Sequence, residues 1–137
     1  MKQRKSFVTG MVCTYLIAAE LSKIGLIVTV TARNAQGIDI LAASSTGKTF
    51  SIQAKGHAQD AKRNYWLLNK DYKKFVDNNL YYIFVNLTEA GTQNYYIVPS
   101  KRVASEGEIE RSKTGAVWYW ISQDVVEKYK DRWDFFK

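Results

Sequence analysis

The sequence predicts an α/β domain in which a small mixed β-sheet is flanked by helices. Three observations predict it. Residues 6–24 repeat apolar side chains at helical spacing. Three runs rich in strand-forming residues follow, over 26–32, 38–43 and 49–55. A continuous apolar run, LYYIFVNL over 80–87, reads as a strand buried on both faces and therefore central.

In the first helix Val8, Val12, Leu16 and Glu20 fall four apart, with Met11, Tyr15 and Ala19 beside them and Ile24 after. Gly25 is a natural stop. NAQG is a turn between the first two strands, and SSTGK joins the second to the third. Residues 56–70 are polar before YWLL and are expected to be mostly loop. Residues 70–78 are expected to form a short helix with Tyr72, Phe75 and Val76 on one side. NYYIVP over 94–99 is a further strand, and Pro99 suits its end. SKRVAS suggests a helical turn, 105–115 a polar loop, and AVWYWI a short strand. Ser122 is the expected N-cap of a last helix carrying Val126, Tyr129 and Trp133. The expected order is helix, three strands, helix, two strands, helix, with helices on both sides of the sheet.

A chain of 137 residues fits one domain spanning 1–137 and can bury a core without staples. Its hydrophobic share of 46% is globular, not disordered. The single cysteine, Cys13, cannot pair within the chain and sits in an apolar helical stretch, so a buried, inert thiol is expected. The N-terminus starts basic and turns apolar, but Glu20, Ser22 and Lys23 break the run. It reads as neither a signal peptide nor a membrane span, and the expected compartment is the cytoplasm. Net charge is +7, with Lys48, Lys55, Lys62, Arg63, Lys70, Lys73 and Lys74 close together. Such a surface attracts polyanions, nucleic acid first.

Gly47, Lys48 and Thr49 match the end of a phosphate-binding loop. That loop needs a glycine where this chain has Ala42, and it must open a helix. TFSIQAK alternates like a strand instead, so SSTGK reads as a hairpin turn with Gly47 supplying a positive φ. The hairpin brings its ends together. Folded at Thr46, it sets Asp39 opposite Gln53; folded at Gly47, it sets Asp39 opposite Lys55. Gln53 and Lys55 share a face in either case. A carboxylate inside GIDIL is costly unless paired or bound to a cation. Lys55 is one partner; Mg²⁺, which accepts a few carboxylate and carbonyl oxygens and keeps its waters, is the other. Glu20, on or beside the apolar stripe of the helix, adds a second carboxylate.

These residues resemble the PD-(D/E)XK nuclease superfamily, whose core runs αβββαβ. The matching positions are Glu20, Asp39 in GIDI, and Gln53-Ala54-Lys55 in IQAK. Gln53 stands where the superfamily usually has an acid, a variant similar to that of Mrr-type endonucleases, and Ile38 stands where its name has proline. The resemblance covers residues 6–98. It implies a restriction-endonuclease-like fold and phosphodiester hydrolysis in DNA assisted by Mg²⁺, with Mn²⁺ able to substitute. Asp39, Gln53, the Ala54 carbonyl and Glu20 would hold metal, and Lys55 would position or activate water. Lys48, His57, Lys62, Arg63, Lys73 and Lys74 are the candidate nucleic-acid contacts, with Tyr65 and Trp66 able to stack on bases. Trp66, Tyr95, Tyr96, Trp118 and Trp120 read more readily as core or interface, and their density leaves room for a homodimer. The rival reading is a non-catalytic binding module for nucleic acid or protein on the same fold. With no separate recognition domain, sequence specificity would come from a partner protein or be absent.

Overall fold

The computed structural model describes residues 2–32, 37–57, 63–87 and 92–137, with the backbone alone over 2–6. Helix α1 (Lys2–Lys23) opens the chain, followed by strands β1 (Ile27–Val30), β2 (Ile40–Ala43) and β3 (Thr49–Gly56). After β4 (Tyr65–Leu67) come β5 (Leu80–Leu87) and β6 (Gln93–Pro99). Helix α2 (Ser100–Glu106), strands β7 (Glu108–Arg111) and β8 (Val117–Ser122), and helix α3 (Gln123–Val126) complete it with two short 3₁₀ turns.

Five strands form a mixed sheet in the order β1-β2-β3-β5-β6. β3 and β5 run parallel, and every other pair in it is antiparallel. Side-chain alternation splits the core into two layers. Ile83 and Val85 of β5 join Ile40, Ile52 and Ile97 under α1. Tyr82 and Phe84 join Trp66, Tyr72, Tyr96 and Ile121 on the opposite face. β5 is buried along most of its length with a partner on each side, as its unbroken apolar run predicts.

α1 packs by a different stripe from the one its sequence suggests. Cys13, Ile17 and Leu21 are buried, whereas Val8, Val12 and Tyr15 are exposed. Apolar residues occupy both sides of this helix, so periodicity alone could not choose between them. Close approach decides: a Cβ built on Gly56 of β3 would lie 2.1 Å from Cys13 Sγ. The helix rests where the sheet has no side chain.

Residues 70–78 do not form the expected helix. Backbone bonds Tyr72 N–H to Asn69 O and Lys74 N–H to Asp71 O make consecutive turns. So short a segment gains little from helical bonds alone, and burial of Tyr72 and Phe75 against the sheet dictates its path. The parallel connection from β3 to β5 therefore passes through β4 and these turns. β4 and β7 lie inside the expected loops 56–70 and 105–115 and pair with β8 as a second antiparallel sheet, β4-β8-β7. Ser122 does cap α3, its Oγ accepting the Asp124 N–H at 3.1 Å. That helix passes after one turn into a 3₁₀ turn over Glu127–Tyr129, which ends where Lys130 bridges to Tyr96 and Asp131 takes a positive φ of 55°.

SSTGK is a hairpin turn, with Gly47 at φ 90°. Ser44 N–H donates to Lys48 O, and Lys48 N–H donates to Ser44 Oγ. Residues 112–116, Ser-Lys-Thr-Gly-Ala, repeat the same bonds between β7 and β8. There Gly115 also sits at φ 90°.

Candidate functional site

The register of β2 on β3 pairs Ile40 with Ile52. That register belongs to the first of the two hairpin alignments the sequence allowed, but the ladder ends at Ile40, before Asp39. Asp39 is fixed by its backbone: its N–H donates to Ile52 O at 2.9 Å, and its carbonyl accepts the Thr31 N–H at 2.9 Å. Thr31 Oγ1 donates to Ile38 O at 2.5 Å and secures the same bend. The side chain then turns toward β3, where Asp39 Oδ2 accepts the Ala54 N–H at 2.8 Å. In an extended strand a residue's N–H and C=O point to the same edge, so the Ala54 carbonyl faces Asp39 too.

Gln53 projects to the other face of β3 from Ala54, beside its register partner Tyr82. It is only 4% exposed, and its Oε1 has no hydrogen-bond partner among the described residues. A buried acceptor left empty is costly and uncommon.

Lys55 Nζ donates to Asn69 Oδ1 at 3.0 Å. No ion pair joins Lys55 to Asp39; the carboxylate acts on it through space. Burial pushes the Lys55 pKa below its ordinary value, and the charge of Asp39 partly opposes that. Asn69 had no sequence signal beyond its place before a polar turn, and neither had Thr31.

Asp39 lines one surface groove, and Gly37, two residues before it, lines another. One, of about 440 Å³, runs between Asp39 and the first half of α1 at Phe7, Gly10 and Thr14. The other, of about 490 Å³, holds Gly37, Asn69 and Lys74. Glu20 is not brought to this cluster. It is paired with Lys23 at 3.2 Å, and its charge is felt at Tyr95, away from the part of α1 that faces Asp39.

No protein-family model matches the chain, and no curated protein matches it in sequence. Solved structures do. The chain is similar to a bacterial homing endonuclease, I-Ssp6803I, with a TM-score of 0.61 and 15% identity, over 96% of this chain and 90% of that one. It is also similar to Hjc, a Holliday junction resolvase from the archaeal hyperthermophile Archaeoglobus fulgidus. There the TM-score is 0.55 and the identity 14%, over 87% of this chain and 88% of the other. The fold is restriction-endonuclease-like.

On this restriction-endonuclease-like frame the candidate nucleic-acid contacts separate. Lys73 and Lys74 are exposed in the turns after Asn69, and Lys74 lines a groove beside the site. Lys48 is exposed at the hairpin tip, and Arg63 is exposed with its guanidinium 5.8 Å from the Tyr65 ring. Lys62 lies outside the described residues. His57 does not face solvent. It is 3% exposed, its Nε2 bonds the Tyr65 carbonyl, and its ring packs on Trp66 with centroids 4.4 Å apart. Burial lowers its pKa, the Tyr65 carbonyl opposes the shift, and Arg63 adds to it. Trp66 is core, its indole N–H donating to Val85 O, so of the pair Tyr65 and Trp66 only Tyr65 keeps a face for bases. No described helix is long and apolar enough to cross a membrane.

Proposed function

We propose that this chain is a metal-dependent nuclease that hydrolyses phosphodiester bonds in DNA. The observation that carries the reading is the Asp39 carboxylate bonded to the Ala54 N–H at the open end of the β2–β3 hairpin, with its charge acting on Lys55. Both structural neighbours, an endonuclease and a Holliday junction resolvase, support a nucleic-acid substrate. The net charge of +7 favours a polyanion.

The residues fit a hard divalent cation. Asp39 supplies a carboxylate, Ala54 a carbonyl, and Gln53 an amide oxygen without a partner among the described residues. Among the described residues no three His, Cys, Asp or Glu side chains cluster, so the donor set is oxygen-only and light in charge. Asp39, the Ala54 carbonyl and Gln53 would hold Mg²⁺ or Mn²⁺, which supplies Lewis acidity toward the phosphate and acidifies bound water. Lys55 would hold water or steady charge on the phosphate. Its lowered pKa brings the neutral amine closer to working pH. Lys74 and Lys73 would grip the backbone of the bound strand, sequence-independently.

The test is cleavage of plasmid and single-stranded DNA with Mg²⁺ or Mn²⁺ by the native chain, Asp39→Ala and Lys55→Ala. Cleavage lost in both variants, with Mn²⁺ binding lost in Asp39→Ala, is expected. Mn²⁺ that never binds, together with cleavage that survives Asp39→Ala, sinks the reading. Salt-sensitive DNA binding with no cleavage under any metal would leave the binding-module alternative in its place.

A further inference from the structure

We propose that the outer face of the β4-β8-β7 sheet is a stacking platform for the bases of single-stranded nucleic acid passing to the Asp39 site. The choice of nucleic acid rests on the nuclease reading.

The platform follows from strand alternation. Trp66, Tyr119 and Ile121 point inward to the core. Tyr65, Leu67, Trp118 and Trp120 line a groove of about 550 Å³ on the other side. Trp118 is 46% exposed and Leu67 48%, large apolar surfaces with no cover. Tyr65 meets Trp120 edge to face at 6.1 Å, so the rings form one continuous surface. Trp118 and Trp120 are two residues apart on a strand, a step of about 7 Å. That is about twice the 3.4 Å spacing of stacked bases, which leaves room for one base between two rings.

Charge picks the occupant. Arg63 stands at the Tyr65 end, and exposed Lys113 stands in the turn where β7 passes into β8. A stacking surface with cations at both ends suits a strand whose bases lie on rings and whose phosphates meet the ends. Glu108 and Glu110 lie opposite Trp120 and Trp118 on β7, placed to accept amino protons of bases while the cations stay at the ends. A second copy docked by a two-fold axis would set one cationic end against the other. The chain also leads from the groove to the site: Asn69, the partner of Lys55, follows two residues after Leu67.

Anisotropy of a labelled short oligothymidylate, measured with the full chain in EDTA, tests this. Trp118→Ala and Tyr65→Ala are each expected to weaken binding about tenfold, Trp118→Phe to retain it, and affinity for a duplex of equal length to change little. Unchanged oligothymidylate affinity in both alanine variants overturns the proposal. So does sedimentation showing a native dimer that Trp118→Ala dissociates. The assay contains no metal and reads no cleavage, so its failure leaves the nuclease reading standing. Loss of that reading through Asp39→Ala would leave a measured platform in place.

Discussion

Asp39 Oδ2 accepts the backbone N–H of Ala54 at 2.8 Å, across the open end of the hairpin. One carboxylate thus closes the strand pair where the regular ladder stops, and its second oxygen has no hydrogen-bond partner among the described residues. Asp39→Asn keeps an acceptor for Ala54 and loses the charge. It is expected to melt within about 1 kcal/mol of the native chain and to lose cleavage by at least about 100-fold. Asp39→Ala removes the acceptor as well and should cost about 1–2 kcal/mol more. Thermal denaturation beside a plasmid-nicking assay separates the two losses. Equal melting of all three chains would deny the hydrogen bond a structural role.

Lys55 is held at some cost. Burial depresses its pKa, so the folded chain binds that proton less tightly than the unfolded chain does. Stability is withheld at neutral pH and is regained as pH climbs from the lowered folded value toward the unfolded value of about 10.4. Lys55→Met keeps the length and drops the charge, and exposed Asn69 can turn to water. This variant should be at least as stable as the native chain at pH ~7, with its advantage shrinking toward pH ~10, and should not cleave. Denaturant titrations at the two pH values check this; a clear loss of stability at neutral pH would refute it.

His57 takes up its proton at lower pH than a surface histidine does. Its folded pKa lies below the unfolded value of about 6.5, because burial disfavours the imidazolium. Its contribution is intact above that value and is lost as pH falls through it toward the lower folded value. The native chain should lose more stability than His57→Gln between pH ~7 and pH ~5. Parallel slopes in the two proteins would show that His57 does not drive the loss.

Gly56 has no room for a methyl group. Its Cβ would stand 2.1 Å from Cys13 Sγ, and the thiol is pinned between helix and sheet. Gly56→Ala should cost about 1–3 kcal/mol. Cys13→Ala should recover part of it, so the double variant is more stable than the two single losses added together. Denaturation midpoints for the four chains measure the coupling, and strict additivity would rule out the contact as the cause.

The parts legible in the sequence are those in which a local pattern meets one partner. β3 and β5 could be read because alternation in TFSIQAK and the unbroken run of LYYIFVNL each fit one kind of strand. The register of β2 on β3 could be narrowed to two alignments by hairpin geometry. The second sheet could not be read, because Tyr65–Leu67 is three residues long and finds its order only against β8, more than fifty positions later. The packed stripe of α1 was hidden for a related reason. Val12 and Cys13 are equally apolar, and only the bare backbone of Gly56 tells them apart. Glu20 looked central because its spacing was judged against the wrong stripe. Asn69 gives Lys55 its partner, yet nothing within its own neighbours marks it.

The two Ser-x-Thr-Gly turns carry a consequence for how such chains are scanned for function. Residues 44–48 and 112–116 close different hairpins with the same bonds, and only the first is followed by the lysine and threonine that imitate a nucleotide-binding signature. The resemblance is therefore a by-product of a spare part used twice. Exchanging one pentapeptide for the other should leave both sheets intact, which makes these bends the natural places to graft a tag or a fluorophore without disturbing the grooves at Asp39 and Gly37.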